Sequence, residues 1–273
     1  MIVNFRKMHG LGNDFIIIDT RQNKLGLSPE EIRHLSGRKR GIGCDQLILI
    51  ENSKNAAAFM RIYNGDGGEV GSCGNATRCV AALIMQENGA NHITLETRAG
   101  ILECSEAPDR RIAVDMGIAK LDWRDIPLAR ACDPNHIPLD YAGFANPSGV
   151  SMGNPHAVFF VDDAAKIDVA SHGPLLECHP MFPERANISF AQILAPNKIR
   201  LRVWERGAGI TEACGTAACA AAVAGFRRHL TAREATVILD GGELEISYLK
   251  DGHVMMTGPY ATSFTGSFNL DQY

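Results

Sequence analysis

Cys73-Gly74-Asn75-Ala76-Thr77-Arg78-Cys79 and Cys214-Gly215-Thr216-Ala217-Ala218-Cys219 are two versions of one pattern, each placed where a Gly-rich loop gives way to a helical run of small residues. Their separation is 214 − 73 = 141. The same offset carries Gly12-Asn13 onto Gly153-Asn154, Arg61 onto Arg202, Gly68 onto Gly209, Ala76 onto Ala217 and Gly117 onto Gly258. One spacing that relates distant blocks marks a duplicated fold. The chain is built to present two thiols, not one.

Working outward, Met1 to Phe5 is strand-like, HGLGND (His9 to Asp14) is a Gly-rich turn, and the β-branched run FIIID reads as a buried strand. Further strands are expected at Leu47 to Ile50, Phe59 to Tyr63, His92 to Glu96, Ile101 to Glu103 and Arg111 to Asp115. The helix that opens at Gly74 has its stop signal at Asn88-Gly89. The second half repeats this order, with a helix from Gly215 to Phe226 and strands at Thr236 to Leu239 and Leu244 to Tyr248. Strands dominate, with one central helix per half. Residues 117–150 carry four of the twelve prolines and read as a connection between domains. The expected division is a first lobe over 1–117, with the tail 263–273 packing back on it, and a second lobe over 118–262.

A 273-residue chain with 45% hydrophobic and 21% charged residues has material for about two soluble domains. The net charge, 27 − 31 = −4, comes without a basic block, so neither nucleic acid nor an anionic membrane is an expected partner. The start, MIVNFRKMHG, has no signal-peptide core, and no apolar run approaches the ~20 residues that span a bilayer. The expected compartment is the cytoplasm. Eight cysteines there are free thiols, and none has zinc-site spacing, so no metal is expected. Cys44, Cys79, Cys104, Cys132, Cys178 and Cys219 read as structural. No dinucleotide or Walker motif occurs, so no cofactor is expected.

A cysteine at a helix start meets backbone N–H groups that have no carbonyl one turn back, and the positive end of the helix dipole; both favour thiolate. The same N–H groups, at Gly74, Asn75, Gly215 and Thr216, form an anion site for a carboxylate. Two lobes would form a cleft with a thiol from each side, where small-ligand sites concentrate. A carboxylate held there, with a thiol on each face of the adjacent carbon, has the geometry of two-base racemisation. The register also brings Gln46 onto Asn187, Asn64 onto Glu205 and Asn75 onto Thr216, so both halves carry polar groups at equivalent places. Glu205 and Arg206 adjoin the second Gly loop and read either as a surface ion pair or as recognition of an amino and a carboxylate group. His156, in NPHAV, reads either as a satisfied structural residue or as a neutral base able to tune a thiol.

The motifs MHGLGNDF (Met8 to Phe15), GCDQ (Gly43 to Gln46), CGNATRC (Cys73 to Cys79), GNPHAV (Gly153 to Val158) and ERGAGITEACGTAACA (Glu205 to Ala220) closely resemble those of the diaminopimelate epimerase family. The resemblance implies an α/β fold of the α+β kind: two pseudo-symmetric lobes, each with mainly antiparallel strands wrapped around a central helix, and an active site in the interlobe cleft. It implies a cofactor-independent homodimer that interconverts LL- and meso-2,6-diaminopimelate for lysine and peptidoglycan synthesis. Cys73 and Cys214 would be the acid/base pair, with Gly74, Asn75, Gly215 and Thr216 receiving the reacting carboxylate. Asn64, Asn154, Asn187 and Arg206 would recognise the distal centre, while Asn13, Gln46 and Glu205 line the reacting end and His156 assists the thiols. Gly71-Ser72 and Ile210 depart from the family pattern beside the site.

Three rivals use the same residues differently. A proline or hydroxyproline racemase shares the two-thiol scheme, but Asn154, Asn187 and Arg206 offer polar recognition that a ring does not need. A non-catalytic amino-acid-binding protein would exchange no α-proton. A thiol-disulfide redox protein would act on generic disulfides.

Overall fold

Phe15, Ile16, Ile17 and Ile18 are all buried, so the strand they form is covered on both faces, as its unbroken apolar run requires. The computed structural model describes residues 1–272, and Tyr273, at the end of the expected tail, lies outside the described residues. In chain order the elements are β1 (Ile2–Gly10), β2 (Asn13–Asp19), α1 (Pro29–Ser36), β3 (Gln46–Glu51), β4 (Ala58–Asn64), β5 (Glu69–Val70), α2 (Gly74–Asn88), β6 (His92–Thr97), β7 (Gly100–Ala107) and β8 (Arg111–Ile118). There follow β9 (Asp140–Tyr141), β10 (Phe144–Ala145), β11 (Ser148–Ser151), β12 (Pro155–Phe160), α3 (Val169–Glu177), β13 (Asn187–Ala195), β14 (Lys198–Glu205) and β15 (Gly209–Ile210). The last are α4 (Gly215–Arg227), β16 (Glu234–Leu239), β17 (Gly242–Tyr248), β18 (His253–Gly258) and β19 (Ala261–Asn269). The fold is mixed α/β, rich in strands and poor in helices.

The chain divides into two compact units, Met1–Val114 with the stretch from Gly258 onward, and Asp115–Thr257. Within the first, β1 pairs antiparallel with β19 and β2, β2 parallel with β3, β3 antiparallel with β4, β4 parallel with β6, and β7 antiparallel with β6 and β8. Within the second, β11 through β18 repeat that sequence of antiparallel and parallel ladders. The register repeats too: Phe15 faces Gln46 as His156 faces Asn187, and Leu47 faces Tyr63 as Ile188 faces Trp204, all 141 apart. Beyond the central helices the offset becomes 142, because Cys104 faces Val114 as Ile246 faces Met256. The expected equivalence of Gly117 and Gly258 is therefore one residue out of register.

α2 and α4 are buried nearly all round, which Gly, Ala and Cys permit by letting strands approach the helix closely. α2 packs on β1, β2, β6 and β7, and α4 on β11, β12, β13, β14, β16 and β17. On the other sheet face of the first unit, Ile16, Ile18, Leu47 and Leu49 pack with Ile32 and Leu35 of α1. In the second, the residues 141 further on, Ala157, Phe159, Ile188 and Phe190, pack with Val169 and Leu176 of α3. Each fully buried Ile or Leu contributes about 1.5–3 kcal/mol.

Four expectations need correction. The turn expected over residues 9–14 shrinks to Leu11 and Gly12, at φ 57° and 85°, because His9 and Gly10 pair with Asp14 and Asn13 as strand residues. Each unit has a second helix; α1 starts with a capping box between Ser28 and Glu31 and Pro29 in its first turn. Residues 117–150 are more than a connection, since Ile126, Leu128, Ile137 and Leu139 are buried in the second core. Residues 258–262 group with the first unit, because Arg78, fully buried in α2, donates from Nε to the Pro259 carbonyl at 3.1 Å and β19 pairs with β1 from Ala261. Among the described residues, no helix is long and apolar enough to cross a membrane.

Candidate active site

Cys73 is the N-cap of α2, with extended φ and ψ of −151° and 108°. Its Sγ accepts the Ala76 N–H at 3.5 Å, and its carbonyl accepts both N–H and Oγ1–H of Thr77 at 2.9 Å. Gly74 and Asn75 open α2, where first-turn N–H groups suit an anion. Asn13, just after the β1–β2 turn, reaches the same place: its Oδ1 accepts from Asn75 Nδ2 at 3.2 Å and from the Cys73 thiol at 3.8 Å. The orientation of that carboxamide is fixed by Asp45, which accepts Asn13 Nδ2 at 2.9 Å and the Asp14 N–H at 3.1 Å. Arg38 clamps Asp45 and Asp14 together, and Lys7 binds Asp14 as well. Burial raises the Asp14 pKa, but hydrogen bonds and charge from Arg38 and Lys7 outweigh it and hold the carboxyl at about 2. Gln46 and Asn64, paired across β3 and β4, share a bond of 2.9 Å from Gln46 Nε2 to Asn64 Oδ1. Gln46 Oε1 is left buried without a partner among the described residues, an acceptor suited to an ammonium group.

Cys214 is the N-cap of α4 at φ −119° and ψ 110°, followed by Gly215 and Thr216. Its Sγ lies 3.5 Å from Thr216 Oγ1. Thr216 Oγ1 accepts from Asn154 Nδ2 at 3.3 Å, and Asn154 Oδ1 faces His156 Nε2 at 3.0 Å. Facing a carbonyl oxygen, Nε2 carries the proton. Burial, with a smaller push from the Arg206 charge, lowers the His156 pKa to about 3, so the ring is neutral, and it connects to Cys214 through Asn154 and Thr216. Glu205 lies beside Cys214 and accepts from Thr211 Oγ1. Asn187 donates to the Pro155 carbonyl at 3.0 Å and accepts the Arg206 N–H at 2.9 Å, while the Arg206 guanidinium binds the Glu184 carbonyl at 3.0 Å.

The expectation that a helix start makes both cysteines thiolates does not hold for Cys214. Burial pushes this thiol well up, and the Glu205 charge pushes it further, against hydrogen bonds from Thr216 and Ala217. The magnitudes agree: a helix terminus is worth about 0.3–1 kcal/mol, whereas full burial of an ionisable group costs about 4–7 kcal/mol. Cys214 is therefore a neutral thiol at pH 7.

Within the first unit, the structure brings together Asn13, Cys73, Gly74 and Asn75 and joins Gln46 to Asn64. Within the second, it links Cys214, Thr216, Asn154 and His156, places Glu205 against Cys214, and joins Asn187 to Arg206. Asp45 and Thr211 escaped the sequence reading. Asp45 sits inside GCDQ, but its counterpart is Ala186, so the repeat did not mark it. Among the other cysteines, Cys44, Cys79, Cys104 and Cys219 are buried and Cys132 partly so, as structural residues should be, whereas Cys178 is exposed. Among the described residues no cluster of three His, Cys, Asp or Glu side chains is placed to hold a metal ion.

The fold is shared with solved structures of low sequence identity. A phenazine biosynthesis protein of the PhzF family from Bacillus anthracis superposes with a TM-score of 0.71 at 16% identity, covering 98% of this chain and 99% of its own. A hydroxyproline epimerase from Agrobacterium vitis, with bound trans-4-hydroxy-L-proline, gives 0.69 at 14% identity over 99% and 93%. Curated relatives are much nearer. Diaminopimelate epimerase from Rhodospirillum centenum is 53% identical over 271 residues, 98% of this chain and 93% of its own. The enzyme of that name from Gluconobacter oxydans is 53% identical over 269 residues, 98% and 99%. The family model for diaminopimelate epimerase matches residues 5–121 and 149–262, stretches that hold both helix starts and every residue that adjoins them. With both stretches matched and half the sequence shared end to end, the chain belongs to the diaminopimelate epimerase family.

Proposed function

We propose that this protein interconverts LL- and meso-2,6-diaminopimelate by moving a proton at one α-carbon, with Cys73 and Cys214 as the acid and base and no cofactor. The observation that carries this reading is the repeated placement of a cysteine at the N-cap of a buried helix, followed by Gly-Asn in one unit and Gly-Thr in the other. The name borne by relatives about half identical over nearly the full length supplies the substrate.

One thiolate takes the α-proton and becomes a thiol, the electron pair passes into the α-carboxylate, and the other thiol returns a proton to the opposite face and becomes the thiolate. First-turn N–H groups at Gly74, Asn75, Gly215 and Thr216 stabilise the charge that builds on the carboxylate. Cys214, held protonated by burial and Glu205, starts as the acid. Asn13, Gln46 and Glu205 face the reacting head, and Gln46 Oε1 accepts from its ammonium. Asn64, Asn154, Asn187 and Arg206 recognise the second head, whose carboxylate suits the planar fork of arginine. His156 holds Asn154 in place and takes no proton itself. The working form is a homodimer, as the resemblance implies, and its setting the cytoplasm; sedimentation velocity checks the former.

The deciding experiment makes Cys73→Ser and Cys214→Ser and measures epimerisation and solvent-deuterium exchange at the α-carbon separately. Both variants should lose epimerisation. Full activity in either rejects the two-thiol scheme, and turnover of proline but not diaminopimelate rejects the substrate.

A further inference from the structure

We propose that Glu177 is a positioning residue for substrate recognition: a buried carboxylate at the end of α3 that fixes the Arg206-Gly207 turn and so sets how tightly the second amino-acid head is held. This rests on the role given to Arg206 above. Glu177 is 5% exposed and is the last residue of α3. A carboxylate there is doubly disfavoured, since burial strips its hydration and a helix C-terminus carries negative partial charge. The groups that compensate come mainly from the β14–β15 hairpin. Oε2 accepts from Trp204 Nε1 at 2.6 Å and Oε1 from the Gly207 N–H at 3.1 Å, with Arg185 Nη1 3.6 Å from Oε1 on the solvent side.

Those two donors bracket Glu205 and Arg206. Trp204 is itself clamped, because Gly173, one turn earlier in α3, lies so close that a Cβ there would overlap the indole. Gly207 has φ 75°, a left-handed conformation glycine adopts without strain, and its N–H is directed at α3. The Arg206 N–H, one residue earlier, is taken by Asn187 Oδ1 at 2.9 Å. Two successive amides of the turn are thus held by two different side chains. Glu177 must accept at both oxygens, since both partners only donate; glutamine offers one acceptor and would set its NH2 against the other N–H.

The test compares wild type, Glu177→Gln, Trp204→Phe, the double variant and Arg206→Lys in steady-state kinetics with LL-diaminopimelate, with melting temperatures alongside. For Glu177→Gln, KM should rise about tenfold with kcat within about twofold, because one donor of the turn loses its acceptor. In the Trp204→Phe background the indole donor is gone, so the same substitution should raise KM less than about twofold. Amide exchange by mass spectrometry should be faster across residues 205–209 and unchanged in α4. An unchanged KM in Glu177→Gln, while Arg206→Lys raises it, overturns the proposal, as does a fall in kcat and melting temperature alone. If Arg206→Lys leaves KM unchanged, the recognition role of Arg206 fails instead; exchange at 205–209 then decides whether Glu177 holds the turn, and unaltered exchange rejects it.

Discussion

The start of α2 and the start of α4 share a backbone plan and an asparagine at equivalent positions, yet the two carboxamides point opposite groups at their helices. At α2, Asp45 takes the Asn13 NH2, so the carbonyl oxygen faces Cys73 and Asn75. At α4, the His156 Nε2–H takes the Asn154 oxygen, so the NH2 faces Thr216, whose hydroxyl lies beside Cys214. A repeated scaffold places two thiols alike, and one neighbouring side chain in each unit sets the polarity around them. At Cys214 that polarity opposes the acid role, since the Thr216 hydroxyl favours the thiolate, and burial with the Glu205 charge outweighs it.

The largest effect tests the shared part. Either Cys73→Ser or Cys214→Ser should lower the epimerisation kcat by about 10²–10⁴-fold, the usual worth of a positioned acid or base. An uneven result, one variant near wild type, would break the equivalence outright. A smaller effect tests the differing part by giving each unit the residue its counterpart carries. Asp45→Ala (as at Ala186) and His156→Phe (as at Phe15) each free one carboxamide to turn over, and each should lower kcat about tenfold, as loss of orientation does. Unchanged kcat in both would mean that the polarity of these carboxamides has no bearing on the thiols.

Sequence alone disclosed the helix starts because the same rare pattern occurs twice, and the buried strands because runs such as Phe15 to Ile18 leave no polar face. It missed α1, although Ser28, Pro29 and Glu31 are a helix start, since only Ile32 and Leu35 on that helix are large and apolar. α3 was hidden by Pro174 inside it. Pairing of β1 with β19 joins residues more than 250 apart, beyond any local pattern. Prolines between 117 and 150 suggested a connection, yet the apolar residues among them are core. The carboxamide polarity was not legible at all, because it depends on which acceptor or donor the fold brings to Asn13 and Asn154.

Acid stability should separate the two neighbourhoods further. The His156 pKa is lowered from its ordinary 6.5 to about 3, so below pH 6.5 the unfolded chain binds a proton that the folded chain refuses. Stability from this residue is full above pH 6.5 and falls by about 1.4 kcal/mol per pH unit between 6.5 and 3. Asp14 also has a lowered pKa, so its contribution is present above 3.8 and fades only between 3.8 and about 2. From these two residues, the second unit should weaken in milder acid than the first. Both tryptophans, Trp123 and Trp204, lie in the second unit and report its unfolding. Urea melts followed by their fluorescence at pH 7, 5.5 and 4.5 should show a loss in wild type that is largely absent in His156→Phe. Parallel loss in both would remove His156 as its source.

The far ends of the two helices give the smallest contrast, and one of opposite sign. α2 ends at Gly89, left-handed at φ 65° with its N–H on the Met85 carbonyl and open space where a Cβ would be. The cost of Gly89→Ala is therefore one of backbone strain alone, about 1 kcal/mol. α4 reaches the same left-handed conformation with a residue that pays for it: His229, at φ 58° with its N–H on the Phe226 carbonyl. His229→Gly removes that strain and gives back part of the gain in unfolded-chain entropy, leaving about 0.5 kcal/mol of added stability. Urea melts of the two variants should move in opposite directions from wild type. A shift of the same sign would mean that the left-handed residue is not what limits either helix end, and that the two ends differ in packing rather than in backbone conformation.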